Sequence, residues 1–149
     1  MIRAYCYILS MGRYLRKASR LAVLNAAYIK EQLKDTFHLP YDRPCMHECV
    51  FTDKFQEQYK ITTLHMAKRL MDYGFHPPTI YFPLVVHGAI MIEPTETESK
   101  EDIDAFIAAL KAVAQEARDN PDLLRQAPHN CKVKKLDETR AARHPCLQG

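Results

Sequence analysis

From Thr62 to Tyr73 apolar residues fall at Leu64, Ala67, Leu70 and Met71, the spacing of one helical face, and Gly74 stands where a helix ends on a left-handed residue. Phe75 can then pack back on Leu70. The pair Pro77-Pro78 cannot continue a helix and pushes His76 out of the α region, so the chain leaves in a stiff, extended conformation. Ile80-Tyr81-Phe82 reads as a short strand with Tyr81 and Phe82 in the core. After a break at His87-Gly88, the apolar run Ala89 to Ile92 reads as a second strand, closed by Pro94. Ser99 followed three residues later by Asp102 is an N-cap pattern, and Glu101 adds negative charge to the first turn, where the helix dipole favours it. The helix that follows carries Ile103, Phe106, Ile107, Leu110, Val113, Ala114 and Ala117 on one face.

These patterns divide the chain into three. Residues 1 to about 38 read as helical, with one apolar face at Ile2, Tyr5, Ile8 and Leu9 and another at Leu15, Ala18, Ala22, Ile29 and Leu33, separated by a break at Gly12. Polar residues are sparse from Leu21 to Ile29, which should therefore be mostly covered by protein. Residues 39 to 118 form the compact unit, with a strand through Met46 to Thr52 and then the order helix, strand, strand, helix. That order suits an α/β two-layer unit, a short and mainly antiparallel sheet with helices on one face. Residues 119 to 149 read as a tail wrapped on the surface of a partner or of a domain outside this chain, with a capped turn at Asn120-Pro121 and a short helix from Asp137 to Arg143. His65 takes the third helical position after Thr62, where an acidic side chain would complete a capping box; a neutral imidazole is expected merely to fail to help there, so His65→Asp should stabilise.

With 149 residues and 47% hydrophobic content, the chain is long enough for one domain with a real core. The net charge of +3 is spread along the chain and demands neither a nucleic-acid nor a membrane partner. The basic run Lys132 to Lys135 has no interleaved aromatics, so it reads as a solvated loop or strand. Five cysteines, an odd number without a C-x-x-C pair, and the lack of a secretory signal or long apolar segment point to a reducing, cytoplasmic home. Cys45, His47 and Cys49 would share one face of the Met46 to Thr52 strand, an ordinary buried arrangement, and no metal site is expected.

Several long, irregular blocks resemble one enzyme family. They are Ala22-Val23-Leu24-Asn25-Ala26, Leu39-Pro40-Tyr41, Cys45-Met46-His47-Glu48, Ala67-Lys68-Arg69-Leu70 leading into Asp72 to Pro83, and Ile92 to Lys100. Ala127-Pro128-His129, Leu136-Asp137-Glu138 and Ala141-Ala142-Arg143 complete the set. Together they resemble the C-terminal part of the glycine cleavage system P protein, glycine dehydrogenase (decarboxylating), especially its second subunit where bacteria split the enzyme into two chains. The chain departs from the family's usual pattern at His65, Cys49 and His87-Gly88.

The resemblance implies the small C-terminal domain of a pyridoxal-phosphate enzyme of fold type I, the aspartate-aminotransferase type. The first helices would join it to a large cofactor domain. It also implies that the whole enzyme decarboxylates glycine and passes the aminomethyl group to the lipoyl arm of the H protein. The family's cofactor-bearing lysine follows a histidine near a glycine-rich stretch. This chain has no His-Lys pair and only four glycines, so no Schiff-base lysine is expected among its eleven lysines, and no catalytic residue is assigned. The chain is therefore expected to be an inactive fragment or separate C-terminal domain. Its expected partners are the missing large domain, the other P-protein subunit and the H protein, and self-association is expected through an apolar face of the Leu15 to Leu33 helix. Its share of the chemistry would be one wall of the active-site cleft, with His76, Thr79, Glu93, Thr95 and Glu96 as candidates. The competing reading, which the residues alone favour, makes His76 a turn residue bonded to nearby backbone and Glu93, Thr95 and Glu96 caps and turns. The alternative is a non-catalytic protein-interaction module of the same fold.

Overall fold

The structure is a computed structural model that describes residues 1–146. Its elements are α1 (Ile2–Met11), α2 (Leu15–Leu33), β1 (Cys49–Thr52), α3 (Thr63–Asp72), β2 (Thr79–Ile80), β3 (Ala89–Ile92), α4 (Lys100–Asp119), α5 (Pro121–Arg125) and α6 (Glu138–Arg143). The sheet order is β1-β3-β2 and both pairings are antiparallel, in the register Cys49↔Ile92 to Thr52↔Ala89 on one side and Thr79↔Met91, Ile80↔Ile90 on the other. All four residues of the central strand β3 are buried, which is why its sequence is a continuous apolar run without alternation. The fold is the small α/β unit expected, with a short antiparallel sheet flanked by helices.

The chain punctuation acts as its chemistry dictates. Gly74 has φ +83, its N–H reaches the Met71 carbonyl at 3.0 Å, and the Phe75 N–H reaches Leu70 at 3.2 Å, the double closure of a Schellman motif. Ser99 Oγ accepts from the Asp102 N–H at 3.0 Å and so caps α4. Gly88 has φ +62, and a Cβ there would lie 1.9 Å from Asp53 Oδ1. That carboxylate is buried and accepts from both the N–H and hydroxyl of Thr63 at 2.9 Å, which ties the start of α3 to the end of β1.

One core gathers Ile29 and Leu33 from α2, Phe51 from β1, Met66 and Leu70 from α3, Leu110 and Val113 from α4, and Leu124 from α5. It crosses both divisions suggested by the sequence, near residues 38 and 118. Several expectations need correction. The first helical stretch ends at Leu33, and His38 instead bridges to Thr52. The first strand starts at Cys49, so Cys45 and His47 lie in a loop and share no strand face with it. The buried face of α3 is Thr63, Met66, Ala67 and Leu70, with Leu64 and Met71 at its margins. The second strand stops at Ile80, because Tyr81 turns the chain at φ +58; Tyr81 and Phe82 are exposed, not core. Within Leu21 to Ile29, Ala26 and Ile29 are buried but Leu24 is exposed.

Candidate functional site

The rigid exit from α3 and the start of α4 enclose a cleft of about 420 Å³. The His76-Pro77-Pro78-Thr79 segment forms one wall, and the Ile92-Glu93-Pro94 segment leaving β3, with Glu98 and Asp102, forms the other. The floor is apolar: Ile29, Ile103 and the edge-to-face pair Phe75 and Phe106, whose ring centres are 5.4 Å apart. The stiff Pro-Pro segment follows the helix end directly, so the cleft's width is set by backbone that has little freedom to move. Its size falls in the range of pockets that hold a small ligand or a side chain.

Of the five candidates, His76, Thr79 and Glu93 come together in this cleft. The His76 ring is exposed at the mouth, without a hydrogen-bond partner among the described residues. The Thr79 hydroxyl donates to Glu93 Oε2 at a long 3.5 Å, across β2 and β3. Thr95 and Glu96 do not line it. The Thr95 carbonyl accepts from Asn25 Nδ2 at 2.9 Å, and Glu96 accepts from the Tyr7 hydroxyl at 2.9 Å, so both tie the first helices to the body. Glu98 and Asp102 are the site residues that sequence reasoning missed, because both lie at a helix start and capping accounts for acidic residues there. The available signal was a third carboxylate, Glu93, at the end of a strand only a few residues earlier.

The rim is acidic without compensation. No Lys or Arg lies within ion-pair distance of Glu93, Glu98 or Asp102 among the described residues. The nearest basic side chain on α4, Lys100, pairs with Asp104 at 2.5 Å and lies over the Tyr28 ring. That hydrogen bond from Lys100, reinforced by one from Tyr28 at 2.7 Å, holds the Asp104 carboxyl below the usual carboxylate range.

Glu48, just before β1, and Glu93, just after β3, lie close together, and a ligand atom of His47 lies within 4.8 Å of both carboxylates. These three could approach a cation together, but they are exposed or half-exposed, and exposed acidic groups gather in this way without one. Cys45 and Cys49 take no part. Burial, and next the neighbouring Cys45, pushes the Cys49 thiol up to about 12. The cleft does not fit pyridoxal phosphate: no lysine lines it, and its carboxylates would repel the phosphate. Among the described residues no helix is long and apolar enough to cross a membrane.

The family described as glycine dehydrogenase, C-terminal domain, matches residues 18–134, which include every residue of this cleft. The chain belongs to this family. A protein of Caldanaerobacter subterraneus named probable glycine dehydrogenase (decarboxylating) subunit 2 is 56% identical over 149 residues, which cover 99% of this chain and 31% of that protein. Proteins of the same name from Oceanobacillus iheyensis and Listeria innocua are 53% and 51% identical, each over 99% of this chain and 30% of their own length. The chain spans about a third of the length of the curated relatives it matches.

Proposed function

We propose that the chain supplies the C-terminal domain of a glycine dehydrogenase (decarboxylating) subunit 2. In this reading it forms one wall of the cleft in which glycine is decarboxylated and its aminomethyl group is passed to the lipoyl arm of an H protein. The observation that carries the reading is identity of more than half to a named subunit 2 protein over 99% of this chain. Pyridoxal phosphate supplies the electron sink for such a decarboxylation, and residues outside this chain would hold it. This chain's own part is geometric. The apolar floor of Ile29, Phe75 and Phe106 keeps water out, while His76 and Thr79, held by the Pro-Pro wall, fix the shape of the mouth.

The test is complementation. The chain is co-expressed with the first two-thirds of a relative's subunit 2 and with its partner subunit, and glycine-dependent carbon dioxide release is followed with lipoylated H protein. Activity is expected from the assembly and none from the chain alone. An assembly that forms stoichiometrically yet stays inactive, beside an active intact relative, would leave the chain as a non-catalytic interaction module. Borohydride trapping adds a second reading: a specific, stoichiometric phosphopyridoxyl-lysine on the isolated chain would overturn the division of labour.

A further inference from the structure

Glu93, Glu98 and Asp102 ring an apolar cleft and have no basic partner among the described residues, while Phe75 and Phe106 form its floor. We propose that this cleft receives an arginine side chain presented by a protein segment outside this chain; the inference rests on the proposed function and names what the cleft wall meets. Charge decides against an anionic occupant. The N-terminus of α4 contributes about half a positive charge, and Ser99, Glu101 and Asp102 already satisfy it locally. The exposed carboxylates of Glu93 and Glu98 stand beyond that local balance and leave the rim negative. Glu48, whose carboxylate lies within 4.8 Å of that of Glu93, adds to the same field.

The floor decides which cation. A bare metal ion or a small ammonium would leave the aromatic floor unused, whereas an arginine presents an apolar stem and a planar guanidinium that stacks on aromatic faces and binds carboxylates in pairs. Glu93 and Glu98 are both exposed, so meeting such a group costs them little desolvation. Thr79 holds Glu93 only through a long 3.5 Å contact, which leaves that carboxylate able to turn to an incoming donor.

The experiment uses the whole chain, isotope-labelled for NMR, and titrates it with n-butylguanidinium, its neutral isostere n-butylurea, and butyrate, all in EDTA so that no metal on His47, Glu48 and Glu93 contributes. Saturable shifts are expected at Thr79, Glu93 and Phe106 with n-butylguanidinium in the millimolar range usual for so small a ligand, and about fivefold or weaker binding of n-butylurea. The double variant Glu93→Gln, Glu98→Gln should weaken the guanidinium to the level of the urea. Both positions are exposed, and an unchanged thermal melt verifies the fold. Equal binding of guanidinium and urea, a preference for butyrate, or no saturable shift would each overturn the proposal. None of these outcomes bears on complementation, so failure here and failure of the proposed function are distinguishable.

Discussion

Thr62 enters α3 in extended backbone, φ −104 and ψ 165, and its N–H meets His65 Nδ1 at 3.2 Å. The ring nitrogen also lies 3.2 Å from the Thr62 hydroxyl. The imidazole thus does what a glutamate does in a capping box, which corrects the expectation that a neutral histidine would contribute nothing there. The third helical position was legible from spacing, but the ring's reach back to the N-cap was not, because it depends on a rotamer and on a deprotonated Nδ1. Burial first, then the charges of Lys135 and Arg125, lower the His65 pKa. A lowered folded pKa means that the unfolded chain takes the proton more readily. The stability from His65 is therefore present above about pH 6.5 and is lost as the pH falls from there through the folded value. His65→Ala should cost about 0.5–1 kcal/mol near pH 7.5 and less at pH 5, because protonation of the ring on acidification progressively removes the contact from the parent. His65→Glu should keep the acceptor, gain from the helix dipole and from Lys135 and Arg125, and exceed the parent most clearly at pH 5. Denaturant melts of the three proteins at the two pH values decide; an alanine deficit that does not shrink on acidification would reject the assignment.

Helix ends were the most legible part of this chain, since Gly74, Ser99 and Pro121 each act through local backbone chemistry. What joins the helices was not legible, because it is made of polar residues far apart in sequence. Arg69 on α3 holds Glu116 on α4 through two hydrogen bonds of 2.8 Å and Asp72 at 3.0 Å, and the Tyr73 hydroxyl adds a third bond to Glu116 at 2.8 Å. Asp72, whose side chain is 1% exposed, also accepts the N–H groups of His129 and Asn130, each at 2.7 Å. The start of the stretch after α5, expected from sequence to wrap a partner or a domain outside this chain, is instead fastened to this chain's own α3 end and to Leu123, whose carbonyl lies 2.7 Å from His129 Nε2. Burial raises the Asp72 carboxyl, but the Asn130 amide, the Arg69 guanidinium and the His129 amide together hold it below the usual carboxylate range. Glu116 is lowered chiefly by its hydrogen bonds from Arg69, against burial. With both folded values depressed, this stability is complete above the unfolded range of about 4 and is lost as the pH falls below it. Asp72→Ala leaves a guanidinium and two backbone N–H groups short of their partner and should cost roughly 3 kcal/mol, while Asp72→Asn, which keeps an acceptor, should cost less. Hydrogen exchange adds the local readout: the His129 and Asn130 amides should lose protection in Asp72→Ala well before the α4 amides. Uniform loss across the chain would mean that Asp72 supports the core and not this junction.

Two apolar stripes at the N-terminal end of the sequence have the same helical period, and nothing in their pattern tells which one is packed. The structure assigns α2 to the core through Ala26, Ile29 and Leu33 and leaves α1 outside, with Ile2, Tyr5, Ile8 and Leu9 exposed by 81%, 63%, 51% and 63%. The apolar face expected on α2 is therefore mostly used, and the exposed apolar stripe lies one helix earlier. The difference is tertiary: Gly12, at φ +49, breaks the helix and redirects α1, while the Tyr7 to Glu96 hydrogen bond gives it one polar tether to the body. Four large apolar side chains on one helix make the kind of contiguous patch that monomers seldom leave uncovered. In isolation the chain is thus expected to pair through α1, with sedimentation velocity showing dimers or larger species at micromolar concentration. The double variant Ile8→Lys, Leu9→Lys should return it to a monomer. Leu24→Lys, on the one strongly exposed apolar position of α2, should leave association within about 1 kcal/mol of the parent, since a lone exposed leucine is ordinary surface. If Leu24→Lys dissociates the oligomer and the α1 pair does not, the α2 face first read from the sequence is the operative one. A chain that stays monomeric at every concentration would mean that the α1 stripe is too small to hold a second copy.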